Sequence, residues 1–208
     1  RDYSEGISQA VCKLYANVLP EVYQIDVLRD AVVLCPSRKG PAGIIALNEI
    51  LQSTVISADA PHVYAHGCHF HVADKVMQIR NNYDKEVFNG DIGIVESVDL
   101  EMRELTVRFD DRAVIYDATE LDELVLAYAT TIHKAQGSEY PIVVMPLLMN
   151  HYVMLQRNLV YTGITRAKKI LVLIGTKKAL SYAVRNLTVN KRNTMLKERI
   201  QKVCGTVG

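Results

Sequence analysis

The chain has 208 residues, of which 49% are hydrophobic, and its formal net charge is +1 at pH 7. This length suits one ordinary domain or one domain with a small insertion, and the apolar content suffices for a core. No apolar run approaches the roughly 20 residues of a membrane-spanning helix, and the charged first residues do not resemble a signal peptide. We therefore expect a cytoplasmic protein with no membrane partner, and the near-neutral charge argues against holding nucleic acid by bulk electrostatics.

Charge is unevenly distributed along the chain. Residues 168–202 contain ten lysines and arginines and one acid, whereas residues 99–123 contain nine acids and three arginines. This asymmetry predicts one basic and one acidic face. A solvated helix surface and a nucleic-acid face explain the basic run equally well.

Cysteine and histidine residues give no strong sign of a metal centre. The four cysteines are scattered without a C-x-x-C pair, and we interpret them as reduced thiols: Cys12, Cys35, Cys68 and Cys204. A tract with zinc-ligand residue types consists of His62, His66, Cys68, His69 and His71. Because His69 and His71 flank Phe70 in the alternating pattern of a strand, we assign no metal to this tract.

Helical spacing of apolar residues predicts a first helix that Ser4 caps and Pro20 ends. Its apolar positions are Ile7, Ala10, Val11, Leu14, Tyr15, Val18 and Leu19. Residues 31–35 then form a predicted buried strand. Residues 41–53 form a predicted helix that tolerates Pro41 in its first turn.

The pattern changes to short alternating strands over residues 70–116, with turn signals at Asn89 and Gly90 and at Asp110 and Asp111. Short alternating strands joined by tight turns are typical of a small β-barrel. We therefore predict a barrel here, packed separately from the segments that flank it.

Continuous apolar runs return after the barrel, at residues 124–129, 142–147 and 170–174. Such runs are typical of parallel strands buried on both faces, separated here by helical stretches. Two further helices are predicted at residues 179–187 and 194–203. The sequence thus predicts an α/β domain that the barrel interrupts.

Two segments carry a resemblance to a known family. Residues 130–139 read TTIHKAQGSE, and residues 158–167 read NLVYTGITRA. They resemble motifs V and VI of the superfamily 1 DNA helicases, in the RecD/TraA branch that includes exodeoxyribonuclease V alpha. Residues 32–52 resemble motif IV of that branch, and residues 74–93 resemble its small SH3-like insertion.

The resemblance covers about residues 31–200 and implies a RecA-like parallel-sheet domain interrupted by an SH3-like β-barrel. On this basis the second motor domain comprises residues 1–67 and 118–208, and the barrel comprises residues 68–117. These boundaries are expectations from the family pattern.

A phosphate-binding loop of the form G-x-x-x-x-G-K-[ST] is absent from this sequence. The acidic pair Asp122 and Glu123 follows Thr119, Glu120 and Leu121 rather than an apolar strand, so we assign it to a solvated loop. We therefore interpret the chain as the C-terminal part of a longer helicase. ATP and Mg²⁺ are then bound mainly by the N-terminal motor domain of the same polypeptide, and the isolated fragment is expected to be inactive.

The resemblance assigns nucleotide chemistry to particular residues. Arg166 corresponds to an arginine finger, whose guanidinium stabilises the departing γ-phosphate; taken alone, it would be a surface ion pair. The expected nucleotide-binding residues are Gln136, Gly137, Glu139, Arg38 and Lys39. For the last two, the sequence does not decide between phosphates of ATP and of DNA.

Contacts to single-stranded DNA are implied for Thr130, Thr131 and His133 and for Asn81, Asn82 and Tyr83. Each set has a structural alternative. The threonines suit a helix N-cap, and the histidine suits a buried, hydrogen-bonded position. The two asparagines suit a turn.

The family pattern implies an ATP-dependent helicase that moves 5′ to 3′ on single-stranded DNA. Its expected partners are single-stranded DNA, the N-terminal motor domain and, in some assemblies, nuclease subunits. The alternative is a non-catalytic module that binds nucleic acid or protein. The sequence does not decide between repair, recombination and plasmid transfer.

Overall fold

The computed structural model describes residues 3–187. The side chain of Ser4, which was the predicted cap, and the predicted helix at residues 194–203 lie outside that description. Within the described range no helix is long and apolar enough to cross a bilayer. The helices are α1 (Tyr3–Lys13), α2 (Leu19–Tyr23), α3 (Val27–Asp30), α4 (Ile44–Val55), α5 (Arg157–Ile164) and α6 (Lys177–Arg185). The strands are β1 (Ala31–Cys35), β2 (His62–Ala65), β3 (Cys68–His71), β4 (Lys75–Gln78), β5 (Ile92–Asp99), β6 (Glu104–Phe109), β7 (Arg112–Tyr116), β8 (Leu124–Leu126), β9 (Ala129–Thr131), β10 (Tyr140–Leu147) and β11 (Ala167–Gly175).

A four-stranded parallel sheet in the order β11-β10-β1-β9 forms the α/β part of the molecule. All five residues of β1 are buried, because alternate side chains enter cores on opposite faces. Val33 packs in the core with α1 and α4, whereas Val32 and Leu34 pack in the core with α5 and α6. The apolar runs at residues 142–147 and 170–174 therefore form parallel strands, as predicted.

Strand β11 departs from the prediction that residues 170–174 are buried on both faces. Its residues are exposed or half-buried, and Leu173 is 37% exposed. The physical reason is position, because among the described residues β11 pairs only with β10 and is the outermost strand. Hydrophobicity alone does not distinguish an edge strand from a central one.

A five-stranded antiparallel sheet in the order β7-β6-β5-β4-β8 forms the barrel. The alternating sequence pattern matches the burial of the side chains, because the inward side chains Val95, Val107 and Tyr116 are buried in one core. The hairpin β2-β3 adds Val63 and Phe70 to the same core. The short alternating strands predicted for residues 70–116 are confirmed.

The predicted strand at residues 124–129 is wrong as a single element. β8 pairs antiparallel with β4 and belongs to the barrel, whereas β9 pairs with β1 in the parallel sheet. The chain passes from one sheet to the other at Ala127 and Tyr128. The Ala127 amide donates to the carbonyl oxygen of Lys75 at 2.8 Å, which anchors this crossing. One apolar run contributes a strand to each of two sheets, so its composition could not reveal where the first strand ends. Because β8 belongs to the antiparallel sheet, the barrel extends past residue 117.

Two predicted helix ends are also wrong. Pro20 does not end the first helix, because a π-helical turn (Leu14–Val18) precedes it and Pro20 occupies the first turn of α2, where a missing amide hydrogen is tolerated. Helix α4 begins at Ile44 rather than Pro41. The carbonyl oxygens of Ser37 and Arg38 accept hydrogen bonds from Ile44 and its neighbour, so the preceding loop folds back over the helix start.

A buried carboxylate joins the barrel to the α/β part. The Asp74 side chain is fully buried and accepts hydrogen bonds from Tyr128 Oη, Gln52 Nε2 and the His71 amide, each at 2.6 Å. Burial raises the pKa of Asp74, and these hydrogen bonds lower it by less. The contacts connect the start of the barrel to α4 and to the segment before β9.

The adjacent Lys75 is buried as well and strengthens the same junction. Its Nζ donates to the carbonyl oxygen of Ala31 at 2.9 Å, at the beginning of the central strand. Burial lowers the pKa of Lys75 to about 8, and the charges of Asp26 and Asp30 oppose that shift. The barrel is thus fixed to the α/β part through buried and half-buried polar contacts.

Candidate functional site

Arg166 lies between the end of α5 and the start of β11. Its Nε donates to the Thr162 carbonyl oxygen at 3.3 Å, Nη1 to the Ser138 carbonyl oxygen at 3.2 Å and Nη2 to Thr165 Oγ1 at 3.2 Å. No ion pair within residues 3–187 involves Arg166. A guanidinium has five N–H donors, so this one is oriented by neutral oxygens and retains donors for an anion.

The segment at residues 132–139 brings a second group of predicted residues next to Arg166. It ends where the Tyr140 amide donates to the Arg166 carbonyl oxygen at 2.9 Å. Gly137 has φ of +90°, a left-handed conformation that favours glycine. Glu139 pairs with Lys168 at 3.3 Å, and both side chains are more than half exposed. Such a pair contributes little to stability and leaves the carboxylate accessible.

A groove of about 330 Å³ separates this segment from α5. Its lining residues are His133, Gln136, Val153, Met154, Gln156, Asn158, Leu159 and Thr162. His133 is exposed, so the alternative of a buried histidine is wrong. Gln136 and His133 therefore face the same groove, and Thr162, whose carbonyl oxygen accepts from Arg166, also lines it.

The two predicted threonines have different environments. Thr130 is 4% exposed within β9, so its side chain does not reach the surface and the predicted DNA contact is not available to it. Thr131 is half-buried at the end of the strand, and its Oγ1 accepts a hydrogen bond from the Lys134 amide at 3.2 Å. The capping alternative therefore applies to Thr131, in a turn rather than a helix.

The barrel presents an aromatic pair on an exposed loop. Asn81 Oδ1 accepts from the Asn89 amide at 3.0 Å, and Asn82 Oδ1 accepts from the Lys85 amide at 3.1 Å. Both asparagines therefore shape the loop, as the turn alternative predicts. Tyr83 is 74% exposed, and its ring lies edge-on to Phe88, 6.0 Å between centroids. Sequence reasoning missed Phe88, although a phenylalanine directly before an Asn-Gly turn was a usable signal.

Arg38 and Lys39 do not join the Arg166 group. They follow the carboxyl end of β1, which is parallel to β10, whereas Arg166 contacts the amino end of β10. Strand β10 (Tyr140–Leu147) rises about 3.3 Å per residue, which separates its two ends by about 23 Å. The predicted nucleotide-binding residues are therefore divided between the amino ends and the carboxyl ends of the parallel strands.

Three histidines of the tract form a cluster of tilted rings on the β2-β3 hairpin. The His62 ring lies 4.9 Å from that of His69 and 4.7 Å from that of His71, and Tyr64 packs 4.7 Å from His69. Within residues 3–187 no group of three or more histidine, cysteine or acidic side chains could hold a metal ion. We assign no ligand to these rings.

Comparison with known proteins identifies the family. Residues 47–109 match the SH3 domain of the ATP-dependent RecD-like DNA helicases, and residues 126–174 match the UvrD-like helicase C-terminal domain. The ATP-dependent RecD2 DNA helicase of Deinococcus radiodurans is 41% identical over 169 residues, which cover 81% of this chain. The chain belongs to the RecD-like helicase family.

Other similar proteins agree with this placement of the RecD-like chain. The RecBCD enzyme subunit RecD of Mycolicibacterium smegmatis is 29% identical over 81% of this chain. The chain spans 23% of the Deinococcus protein and 29% of the Mycolicibacterium protein, so the relatives are much longer.

A structure of Pif1 helicases unwinding forked double-stranded DNA superposes with a TM-score of 0.53 at 17% identity, covering 99% of this chain and 53% of the other. A Bacteroides Pif1 structure with ADP-AlF3 and single-stranded DNA gives 0.51 at 17% identity, covering 98% and 55%. These two likenesses establish the fold.

Proposed function

We propose that this chain is the second motor domain of an ATP-dependent helicase that moves 5′ to 3′ on single-stranded DNA. The observation that carries the proposal is Arg166, which neutral oxygens orient beside Gly137 and Glu139 and which has no carboxylate partner among the described residues. We divide the chain into the two parts of a motor domain and an inserted barrel that includes β8. The longer polypeptide acts in the cytoplasm.

ATP and Mg²⁺ bind mainly to a preceding motor domain of the same polypeptide, which carries the phosphate-binding loop. That domain supplies the metal and the loop that hold the phosphates. The present chain adds Arg166, whose remaining N–H groups donate to the γ-phosphate as negative charge develops on its oxygens. Glu139 accepts from ribose hydroxyls, and Gln136 and the Gly137 backbone contact the nucleotide.

Single-stranded DNA follows the exposed polar surface of the chain. His133 and the Thr131 turn contact phosphates, and the Tyr83 and Phe88 rings stack on a base. Thr130 is not part of this track because it is buried. Since one relative is named as a subunit of the RecBCD enzyme, association with nuclease subunits is a further element of the proposal.

Replacing Tyr83 tests the DNA track on the chain itself. Tyr83→Ala is expected to weaken binding of a single-stranded oligonucleotide roughly tenfold, because loss of base stacking on an aromatic ring costs about 1–3 kcal/mol. Tyr83→Phe keeps the ring and is expected to bind as the wild type does. The measurement is fluorescence anisotropy with a labelled oligothymidylate.

The matched control is Tyr23→Ala, which removes an exposed tyrosine from α2, far from the barrel loop in sequence. It is expected to leave affinity unchanged. Equal affinity of the wild type and Tyr83→Ala would remove the barrel loop from the track. Equal losses in Tyr83→Ala and Tyr23→Ala would indicate nonspecific contact with exposed aromatic rings.

A further inference from the structure

A cavity of about 230 Å³ lies at the carboxyl ends of the parallel strands. One wall is the loop after β1, and the other is the loop after β10, which the sequence motifs do not include. The lining residues are Ser37, Lys39, Gly40, Pro41, Ala42, Leu148, Asn150, His151, Val153 and Met154. This volume is below the roughly 300–1,000 Å³ of pockets for drug-sized molecules, so it suits a small chemical group.

His151 is the unusual feature of this cavity. The residue is 8% exposed, and its buried Nδ1 has no hydrogen-bond partner among residues 3–187. Buried polar atoms nearly always have partners, so an unsatisfied one calls for an explanation such as an absent ligand. Burial lowers the pKa of His151, so the ring is neutral near pH 7 and can present one N–H donor from either nitrogen.

The other polar groups around the cavity suit an anion. Lys39 is exposed and takes part in no ion pair within residues 3–187, and Asn150 is an exposed amide on the opposite wall. Gly40 has φ of +95° and no atom near the place of a Cβ, so a ligand can approach the backbone. Among the residues that the structure describes, no acidic side chain lines the cavity. Lysine, asparagine and backbone amides are common ligands of phosphate oxygens.

The position of the cavity relative to Arg166 and to the groove that contains His133 favours DNA over ATP as the source of that phosphate. The cavity lies about 23 Å along β10 from the Arg166 end, estimated from about 3.3 Å per residue, so a nucleotide whose γ-phosphate meets Arg166 does not fill it. Val153 and Met154 line both this cavity and the groove that contains His133. A strand that follows the His133 groove therefore continues directly into the cavity.

We propose that the cavity holds one phosphate of the DNA backbone, with Lys39 supplying the charge and His151 and Asn150 supplying N–H donors. This inference rests on the proposed function, because it takes single-stranded DNA as the ligand. It assigns Lys39 to DNA rather than to the nucleotide. It also adds two residues, Asn150 and His151, to the track.

The first test is the salt dependence of oligothymidylate binding by the chain. Each neutralised phosphate of a single strand contributes about 0.7 to the slope of log affinity against log salt concentration. Lys39→Ala is expected to reduce that slope by about 0.7. The matched control, Arg29→Ala, removes one exposed positive charge at the opposite end of β1 and is expected to leave the slope unchanged.

The second test places one uncharged methylphosphonate at successive positions of the oligonucleotide. One position is expected to weaken wild-type binding roughly three- to tenfold, and the same position is expected to have no further effect in Lys39→Ala. Asn150→Ala and His151→Gln are each expected to lose about two- to tenfold in affinity. Thermal melting of each variant checks folding, and the exposed Asn150 keeps the test valid if His151→Gln unfolds.

The outcomes separate the two proposals. DNA binding by the wild type with unchanged slope and affinity in Lys39→Ala and Asn150→Ala overturns the phosphate site alone. Loss caused by an abasic position rather than a methylphosphonate also overturns it, in favour of a base pocket. Weakened binding of an ATP analogue, with DNA binding intact, assigns the cavity to the nucleotide and overturns it too. No binding of DNA by the wild type overturns this site and the proposed track together.

Discussion

Arg166→Ala is expected to reduce DNA-stimulated ATP hydrolysis by about 10³-fold or more in the proposed longer polypeptide, which joins this chain to a phosphate-binding domain, as loss of an arginine finger does. A finger acts on charge that develops in the transition state, so the loss appears in kcat and much less in nucleotide affinity. The fold is expected to survive, because the three contacts of Arg166 are to neutral oxygens.

Two variants make this experiment specific. Arg166→Lys is expected to restore little activity, because a lysine ammonium is a point charge without the paired donors of a guanidinium. Lys168→Ala is the matched control, since it removes a neighbouring exposed cation that already pairs with Glu139. Near-normal turnover in Arg166→Ala would mean that the residue is not a finger. A large fall in melting temperature would mean that its role is structural.

Asp74→Ala is expected to lower the free energy of unfolding by about 3–5 kcal/mol. The change removes the acceptor of the buried Tyr128 hydroxyl and of the His71 amide, and it leaves Gln52 Nε2 with the His69 carbonyl oxygen, at 2.8 Å. Each unsatisfied group costs about 1–3 kcal/mol. Chemical denaturation of the chain measures the effect. Tyr128→Phe is the matched control, because it removes one donor and keeps the carboxylate, and a loss of about 1–2 kcal/mol is expected.

Asp74 also gives a pH dependence with a defined sign. Its pKa is raised in the folded state because burial disfavours the charged form. Its stabilising contribution is therefore complete below the ordinary carboxyl pKa and is lost as pH rises through the raised value. Relative to an Asp74→Asn variant, the wild type is expected to lose stability over that interval. If the stability of the wild type relative to Asp74→Asn increased with pH instead, the result would contradict the raised pKa.

Periodicity was sufficient to predict the kind of sheet that β1 and β6 enter. Strand β1 is apolar at every position and lies at the centre of the parallel sheet, whereas β6 alternates and lies in the barrel. Periodicity failed where one apolar run feeds two sheets, at β8 and β9. It also failed at β11, because whether a strand has a second neighbour is a property of the tertiary structure.

The candidate site was predictable where a motif is continuous in sequence. Gly137, Glu139 and Arg166 come from two motifs, and the structure places them side by side through the Ser138 carbonyl oxygen. The sequence could not show at which end of the parallel strands each residue lies. Lys39 was therefore grouped with residues that lie at the opposite ends of the strands. Burial was not predictable either, and for that reason Thr130 was assigned to a surface that it does not reach.

The most direct measurement of the central claim is strand separation by the proposed longer polypeptide, which joins this chain to a phosphate-binding domain. The substrates are two duplexes that differ only in whether the single-stranded tail is 5′ or 3′. We predict ATP-dependent unwinding from the 5′ tail, its loss in Arg166→Ala, and no ATP hydrolysis by the 208-residue chain alone. Unwinding only from the 3′ tail, unwinding that persists in Arg166→Ala, or ATP turnover by the chain alone would contradict the account.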